Sequence, residues 1–442
     1  MGPAVDAVPI VETHPSAADV VVIGGGIIGV SAGLFLALRG ISVVLCEKGH
    51  VAGEQSSRNW GWCRRMGRDP RELPLVVEAL RLWPELERLT GEDLGFRRSG
   101  ILYLGETDAD VAFHEDWLRR AGDFALDTRI VEGAELAALL PGAARSFRSA
   151  LYTASDGRAE PQKAAPAIAR AARHAGATIL QNCAVRGIER QGGRVAGVVT
   201  ERGTIKASTV VVAGGAWSSM LCNDVGIRLP QLVVRSSVMR TAPVEGGPTN
   251  AAWGHGFAYR KRLDGGYTIA EGSRSYHDIV PASFRFLPDF LSLLKDNWRD
   301  VGLRFGAPFF SGYSGCSPRR PQGQSVYEAH RTLDPEPSRA LLRDARKRMD
   351  AAFPFLANVP TVQEWAGYID ATPDAVPVIA PVKSLPGLVV ATGFSGHGFG
   401  IGPGAGRLVA DLVTGDTPVV DPSPFRYERF IDGTRHRPTT GV

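Results

Sequence analysis

The chain has 442 residues, 44% of them hydrophobic and 22% charged, which is typical of a globular protein with two or three domains. Its 50 Lys and Arg residues against 46 Asp and Glu residues give a net charge of +4, which is too small to indicate a nucleic-acid partner. The five cysteines show no CxxC pair and no metal-ligand spacing, so the sequence predicts no metal site and favours a reducing, cytoplasmic location.

Both ends of the chain are predicted to be loose, over residues 1–16 and 431–442. The first of these segments carries acidic residues and no basic region, so it does not resemble a secretory signal. The apolar stretch 20–45 is long enough to span a membrane, but its glycines divide it into strand, turn, helix, turn and strand. We therefore expect two buried parallel strands with a crossover helix, and no membrane-spanning segment.

The first predicted unit is a nucleotide-binding fold. The β-branched run VVVI at 20–23 precedes GGGIIG at 24–29, a helical pattern and a second strand that ends before Glu47. Such glycines permit a tight turn and a close approach of the backbone to a pyrophosphate, and the acid accepts hydrogen bonds from ribose hydroxyls, which disfavours NADP. The nucleotide-binding residues predicted from this unit are Gly24, Gly26, Ile28, Gly29, Glu47 and Lys48.

The next segment, EQSSRNWGWCRR at 54–65, is too polar and too interrupted by glycine for an ordinary core strand. Its two indoles are costly to leave in an open loop, because each carries a large apolar surface. They either contact a bound group or form an apolar wedge between two domains. Arg64 and Arg65 have the chemistry to bind a phosphate or a substrate carboxylate, and a surface salt bridge is the alternative for each.

The later elements repeat one motif, a strand that ends in a glycine turn. A helix after Pro161, a strand and a hairpin over 194–207 lead to the strand STVVVAGGAWS at 208–218. A third apolar strand with its turn, GLVVATGFSGHG, follows at 387–398. Three such units spread over the whole chain predict one α/β domain that is assembled from separate pieces.

These blocks, together with WAGYIDATPDAVPVI at 365–379, resemble the D-amino-acid oxidase-like flavoprotein family, which includes sarcosine and glycine oxidases and bacterial D-amino-acid dehydrogenases. The likeness frames the chain from residue 18 to residue 430. It implies bound FAD, with the 54–65 block beside the pyrophosphate and the isoalloxazine ring and the GFSGHG turn at the pyrimidine edge. The further cofactor-binding residues that it implies are Ser56, Ser57, Arg58, Asn59, Gly61, Trp62, Val185, Gly214, Gly215, Trp217, Gly367, Gly393, Ser395, Gly396, His397 and Gly398.

The chain departs from the family at the positions of the covalent flavin links. Relatives that hold FAD covalently use a histidine in the first flavin block or a cysteine in the penultimate one. Here the first block reads Trp60-Gly61-Trp62-Cys63 and the second reads Gly367-Tyr368. We therefore predict noncovalent FAD, with Cys63 as the one nearby residue that could form a link.

A second departure concerns the substrate. Family members that oxidise amino acids bind the substrate carboxylate with an arginine in the pattern GLRP, whereas this chain reads Gly367-Tyr368-Ile369-Asp370. Either Asp370 or Asp374 faces the cation of an amine substrate, or arginines elsewhere bind a carboxylate. A structural cap is the alternative role for Asp370, and a turn of the flavin domain is the alternative for Asp374. The candidates for such a carboxylate site are Arg235, Arg240, Arg319 and Arg320.

The predicted fold class is α/β: a discontinuous Rossmann-type FAD-binding domain and an α+β substrate-cap domain with an antiparallel sheet. We assign residues 17–75, 150–225 and 360–430 to the FAD-binding domain, and residues 76–149 and 226–359 to the cap. Substrate should lie between the two. The cap candidates for lining the pocket are His255, Tyr259, Tyr267 and His277, with Lys261 as a weak candidate for a lysine over the flavin.

The predicted function is FAD-dependent oxidation of a C–N bond in an amine or amino acid, of the secondary, N-substituted or D type. Hydride passes to flavin N5, and the imine hydrolyses to a carbonyl compound and an amine. The catalytic candidates are Asp370, His397, Arg64 and Tyr259, although the backbone at the helix start could act without His397. Oxygen and a quinone-type acceptor both remain open. One alternative is an NAD-linked reductase or a flavoprotein disulfide reductase, but the chain lacks a second GxGxxG with its acid and a CxxxxC pair. The other alternative is a non-catalytic flavin-binding subunit of a larger dehydrogenase.

Overall fold

The computed structural model of the chain describes residues 2–298, 300–310 and 324–434. In chain order its strands are β1 (Val20–Ile23), β2 (Val43–Cys46), β3 (Trp62–Cys63), β4 (Ile101–Gly105), β5 (Thr128–Val131), β6 (Ser149–Thr153), β7 (Gly157–Arg158), β8 (Thr178–Leu180), β9 (Val185–Gln191), β10 (Arg194–Thr200), β11 (Gly203–Lys206), β12 (Thr209–Val212), β13 (Leu232–Thr241), β14 (Ala251–Gly254), β15 (Phe257–Lys261), β16 (Tyr267–Ala270), β17 (Ser275–Asp278), β18 (Val301–Arg304), β19 (Thr361–Ala371), β20 (Val378–Pro381) and β21 (Leu388–Thr392).

The helices of the same residues connect and cover these strands. They are α1 (Ile27–Ala37), α2 (Gln55–Arg58), α3 (Leu73–Thr90), α4 (Asp108–Ala121), α5 (Gly133–Leu139), α6 (Pro161–His174), α7 (Ser218–Asp224), α8 (Pro281–Arg285), α9 (Leu287–Asn297), α10 (Val326–Ala329), α11 (Arg339–Ala352) and α12 (Gly398–Thr414). None of them combines the length and the apolar character that a membrane crossing requires.

The first sheet has six strands in the order β20-β21-β12-β1-β2-β8, all parallel except β20. Its strands are apolar on both faces, as a sheet covered on both sides requires. Val20 and Val22 pack in one core with α1, α6 and α12, whereas Val21 and Ile23 pack in a second core with β9–β11 and α7. The period-2 alternation of a single strand therefore supplies both layers.

The second sheet has the strand order β18-β17-β13-β16-β15-β14-β4-β6-β5, and β19 pairs with β13 over its whole length. Most neighbouring strands are antiparallel, and β14–β4 and β17–β18 are parallel pairs. Its core lies against α11 and α5. The architecture confirms the predicted α/β class with a second, largely antiparallel sheet.

The domain boundaries remain a prediction. Two segments that the sequence assigns to one domain pack in the structure with elements of the other. Residues 361–371, assigned to the first domain, form β19 of the second sheet. Helix α3, assigned largely to the cap, packs its Leu75 and Leu82 into the core of α1, α6 and α12.

The N-terminal leader is not loose, contrary to the prediction for residues 1–16. It contains no regular helix, but Val8 is buried and its carbonyl accepts a hydrogen bond from the side chain of Gln181 at 2.9 Å. The backbone N–H of Asp6 donates to the carbonyl of Gln162 at 3.0 Å. These buried contacts fix the leader on the first domain.

Candidate functional site

A cavity of about 490 Å³ opens between the two sheets. On one side the carboxyl ends of β1, β2, β12 and β21 line it, and on the other side β13 and β19 do so. Ligands of open parallel sheets bind at this edge because the loops that follow the strands converge there. The cavity volume is in the range of small-molecule and cofactor sites.

Most of the predicted cofactor residues line this cavity. They are Gly24, Gly26, Ile28, Glu47, Lys48, Ser56, Arg58, Asn59, Trp62, Val185, Gly214, Gly215, Trp217, Gly367, Ser395, Gly396, His397 and Gly398. The convergence of three separate glycine turns on one cavity agrees with the spacing argument. Their contacts with a cofactor remain a proposal.

Four predicted residues lie outside the lining. Gly29 packs against the turn that follows β1, because a Cβ at this position would lie 2.0 Å from the carbonyl oxygen of Gly24. Gly61 has φ +79°, and a Cβ there would lie 2.4 Å from the carbonyl oxygen of Ala159, so its role is chain packing and not an approach to the flavin. Ser57 bonds to the Glu54 carbonyl, and Gly393 donates its N–H to Asp370 at 2.8 Å.

Glu47 stands at the end of β2, as the pattern predicts. Its two carboxylate oxygens accept hydrogen bonds from the backbone N–H groups of Gly25 at 2.7 Å and Gly49 at 2.8 Å. Each oxygen keeps a lone pair for a ribose hydroxyl. Burial raises the pKa of Glu47, and Lys48 opposes this shift.

We expect Glu47→Ala to raise the dissociation constant of FAD about 100-fold, or roughly 3 kcal/mol, because two backbone donors and the ribose lose an acceptor. Titration of the apoprotein with FAD, followed by flavin fluorescence, measures the change. Glu115→Ala, at an exposed site on α4, should leave the affinity unchanged. An equal loss in both variants would contradict the role of Glu47.

The 54–65 block holds itself in place with short side chains. Ser56 Oγ accepts a hydrogen bond from the N–H of Ile27, in the first turn of α1, at 2.8 Å. Asn59 donates to the carbonyl of Ser56 at 3.0 Å and accepts from the N–H of Gly61 at 2.8 Å. Arg58 is buried and binds Asp334 at 2.7 Å. The block thus forms a rigid wall of the cavity.

Lys48 and Trp217 line the cavity, but their polar groups bind protein atoms. The Lys48 ammonium lies 2.5 Å from Glu54 and donates to the carbonyl of His330 at 2.7 Å. The Trp217 indole N–H donates to Glu54 at 3.1 Å, and the ammonium lies 4.6 Å from the centre of its ring. Both side chains therefore shape the nucleotide end of the cavity.

Asp370 lines the cavity, and the sequence left open whether it faces a substrate cation or has a structural role. It is buried, and its carboxylate accepts hydrogen bonds from Gln55 at 2.8 Å, from Gln231 at 2.8 Å, from Thr392 at 3.1 Å and from the backbone of Gly393 at 2.8 Å. These donors come from the first flavin block, from the residue before β13 and from the end of β21. The carboxylate therefore ties these segments together at the flavin end of the cavity.

Tyr259 is also not a catalytic residue in this geometry. It is 1% exposed, it packs in the core of the second sheet and its hydroxyl donates to Asn250 at 3.0 Å. The other cap candidates, His255, Tyr267 and His277, do not line the cavity either. The Lys261 ammonium donates to the carbonyl of Val244 at 2.8 Å.

The arginines that the sequence suggested for a carboxylate site do not line the cavity where the structure describes them. Arg235 lies on β13 between the lining residues Val234 and Ser236, Arg240 lies further along the same strand, and neither arginine lines the cavity. Arg319 and Arg320 lie outside the described residues. Asp374 binds Arg429 at 3.0 Å, so it stabilises a turn of the first domain.

Two arginines, the buried Arg68 and the half-buried Arg64, form a wall of the cavity that the sequence did not predict as a pair. Arg68 is 3% exposed, and its Nε and Nη1 have no hydrogen-bond partner among the described residues. Arg64 lies 5.5 Å from the ring centre of Trp62 and 5.3 Å from that of Tyr103. Burial lowers the pKa of both guanidiniums, and each keeps its positive charge at neutral pH. A buried cation with unpaired donors, as Arg68 is, needs an anion.

His397 and Glu72 close this charged end. His397 precedes α12, and its Nδ1 lies 3.4 Å from the carboxyl group of Glu72. Burial, together with Arg68 and Arg64, lowers the pKa of His397, so the imidazole is neutral. The spacing of four residues between Arg68 and Glu72 was the one sequence feature that could have indicated this charged pair. The segment RDPRE, however, resembles an exposed polar turn.

Aromatic side chains cover the space beside the arginines. Trp60 and Trp62 meet edge to face at 5.2 Å, and Tyr103 and Trp253 do so at 4.9 Å. All four line the cavity. The buried Nε1 of Trp62 has no acceptor among the described residues, so it is free to donate to a bound group. These walls fit a flat ring system and an apolar substrate side chain.

The residues present fit FAD. The glycine turn with Glu47 suits the dinucleotide half, the N-terminus of α12 at Gly398 supplies a partial positive charge near the ring, and Trp60 and Trp62 supply flat surface. Cys63 is fully buried and lies outside the lining, which removes the main candidate for a covalent link. No group of side chains in the described part of the chain could hold a metal ion.

Comparison with known proteins gives one consistent result. The family model "FAD dependent oxidoreductase" (DAO) matches residues 19–412. The solved structure of L-amino acid deaminase from Proteus myxofaciens in complex with anthranilate is 34% identical with a TM-score of 0.90, and the match covers 97% of this chain and 96% of that one. L-amino acid deaminase from Proteus vulgaris is 31% identical with the same TM-score, over 96% and 100%. Glycine oxidase from Pseudomonas aeruginosa is 28% identical, over 92% and 97%.

Proposed function

Because this chain belongs to the DAO family of FAD-dependent oxidoreductases, we propose that it oxidises the C–N bond of an amino acid whose carboxylate binds Arg68 and Arg64. That the protein is an FAD-dependent enzyme acting on a C–N bond follows from the family and from relatives that are oxidases and deaminases over their full length. A non-catalytic flavin subunit is not favoured. The identity of the carboxylate site is the proposal.

One observation carries the proposal: Arg68 is buried beside the aromatic wall with two guanidinium nitrogens that no described residue accepts from. A substrate carboxylate is an anion that supplies an acceptor to this guanidinium, and such charge-assisted hydrogen bonds are stronger than those to neutral acceptors. This explains how Ile369 can stand at the position where relatives carry an arginine. Of the two alternatives from the sequence, carboxylate binding by arginines elsewhere in the chain is therefore preferred. Arg68 and Arg64 are the arginines that we propose for it.

The side chain and the amine of the substrate have separate surroundings. Trp62, Tyr103 and Trp253 offer an apolar wall, so we expect an apolar or aromatic side chain. Neutral His397 is placed to accept the proton that a substrate ammonium loses before oxidation. Closing this space against water also strengthens the charge–charge contact at Arg68.

When bound, FAD accepts the hydride that leaves the carbon next to nitrogen. The protein contributes the N-terminus of α12, whose partial charge stabilises negative charge at the ring. The substrate leaves as an imine, and water converts it into a 2-oxo acid and ammonia or an amine. We propose the cytoplasm as the location, with oxygen or a quinone-type compound as the electron acceptor.

Product analysis tests the proposal. Purified holoenzyme is incubated with phenylalanine of either hand, N-methylphenylalanine and an artificial acceptor dye. We expect equal amounts of reduced dye and 2-oxo acid with at least one of these substrates. Phenethylamine, which lacks only the carboxylate, serves as the matched control and should give a rate lower by about 100-fold. Equal rates for the amine and the amino acid would contradict a carboxylate site.

A further inference from the structure

We propose that Glu72 is a positioning residue whose charge decides whether Arg68 is free to bind an anionic substrate. The neutral carboxyl leaves the guanidinium to the substrate, and the ionised carboxylate competes with the substrate for it. The inference rests on the proposed function, because both concern the same carboxylate site.

The geometry around Glu72 is unusual for a carboxyl group. Glu72 is 0% exposed at the start of α3, and neither of its side-chain oxygens has a hydrogen-bond partner among the described residues. His397 Nδ1 lies 3.4 Å from one of these oxygens, outside hydrogen-bond geometry. An ionised carboxylate in such a place is strongly destabilised, so the group is held neutral.

Arg68 is the competing partner by position, because it precedes Glu72 by four residues, is also buried and has Nε and Nη1 without a partner among the described residues. Burial raises the pKa of Glu72 to about 8, and Arg68 is the strongest group that opposes this rise. At neutral pH most of the population therefore carries the proton on Glu72.

The other charged groups around Glu72 are engaged elsewhere. Asp69 holds Arg71 at 2.8 Å, Asp374 holds Arg429 at 3.0 Å, and His397 is neutral because burial lowers its pKa. Arg64 donates to the carbonyl of Met66 at 2.9 Å. The charged and titratable groups that face Glu72 from the loop before α3, the turn after β19 and the start of α12 are thus Arg64, Arg68, Asp69, Arg71, Asp374 and His397.

The sign of the pH effect follows from linkage. A bound anion repels ionised Glu72 and occupies Arg68, so it raises the pKa of Glu72 further. Above about pH 8 the free enzyme has lost the proton that the complex retains. Anion binding then takes up one proton, and its dissociation constant rises about tenfold per pH unit. Below that pH the constant is flat.

Calorimetry with benzoate as the probe measures this directly. Benzoate has a constant charge from about pH 6 to about pH 9.5 and needs no turnover, so the result does not depend on whether the enzyme oxidises amino acids. The holoenzyme is titrated in buffers of different ionisation enthalpy. We expect uptake of about one proton per benzoate near pH 9 and of none near pH 6.

Two variants separate Glu72 from other titrating groups. Glu72→Gln keeps the shape and removes the charge, so its benzoate affinity should be independent of pH and its proton uptake absent. Glu87→Gln is the matched control on α3: burial also raises the pKa of Glu87, but its carboxylate accepts a hydrogen bond from the N–H of Phe96 at 3.1 Å, whereas the Glu72 oxygens have no partner among the described residues. It should behave as the native protein.

Three results would overturn the inference: native binding that does not change with pH, proton uptake that persists in Glu72→Gln, or proton uptake that disappears in Glu87→Gln. The proposed function fails separately, if no amino acid is oxidised. The shared carboxylate site fails if Arg68→Met binds benzoate as tightly as the native protein near pH 6.

Discussion

Arg68→Met should lower kcat/KM for the best amino-acid substrate about 100-fold, which corresponds to roughly 3 kcal/mol of lost charge-assisted hydrogen bonding. Most of the loss should appear in KM, because the carboxylate is bound equally before and during the reaction. The side chain of methionine fills similar space, and the Arg68 guanidinium already lacks partners for Nε and Nη1. The variant should therefore fold and retain FAD.

Steady-state kinetics on amino acid and matched amine distinguish a lost contact from general damage. The variant should oxidise phenylalanine and phenethylamine at similar rates, so the preference for a carboxylate disappears. Arg88→Met, at an exposed site near the end of α3, should keep the native preference. A variant at Arg68 that retains full discrimination would show that the carboxylate binds elsewhere.

Asp370→Ala should lose most of its FAD and should unfold at a clearly lower temperature. Its removal leaves donors on Gln55 and Gly393 without an acceptor and takes from Gln231 one of its acceptors, and each donor left without an acceptor costs about 1–3 kcal/mol. The combined loss is on the order of 4 kcal/mol, at the point where three segments meet at the cavity. This differs from the expectation for a residue that faces a substrate cation.

Flavin content per protein and thermal unfolding measure this effect. Asp123→Ala, at an exposed position after α4, should match the native protein in both. If Asp370→Ala retained FAD and native stability but changed its substrate preference, Asp370 would act on the substrate and the structural role would be wrong.

Local patterns predicted the first domain well. Val20–Ile23, the glycine turn, the helix to Ala37 and Glu47 follow each other within one βαβ unit, so each element constrains the next. The apolar strand before Ala391 and its glycine turn could be read in the same way. Their convergence on one cavity needed only the rule that parallel strands share an edge.

The charged end of the site could not be predicted, because its residues depend on tertiary burial. Arg68 and Glu72 lie in a polar, proline-containing stretch that is typical of an exposed turn, and only the packing of α3 beside α12 buries them. The surroundings of Asp370 could not be predicted for the same reason, because its hydrogen-bond donors come from residues 55, 231 and 393, which are far apart in the chain. The strand pattern around Tyr259 is compatible with a residue that lines a pocket, but in the structure its side chain packs in the core of the second sheet.

The most direct test of the central claim is anaerobic reduction of the bound flavin by a substrate pair. Holoenzyme is mixed without oxygen with phenylalanine or with phenethylamine, and the visible flavin band is followed. The account predicts a yellow protein that the amino acid bleaches far faster than the amine, and whose FAD is released by acid precipitation. A colourless protein, a flavin that stays attached to the precipitate, or equal bleaching by both compounds would contradict it.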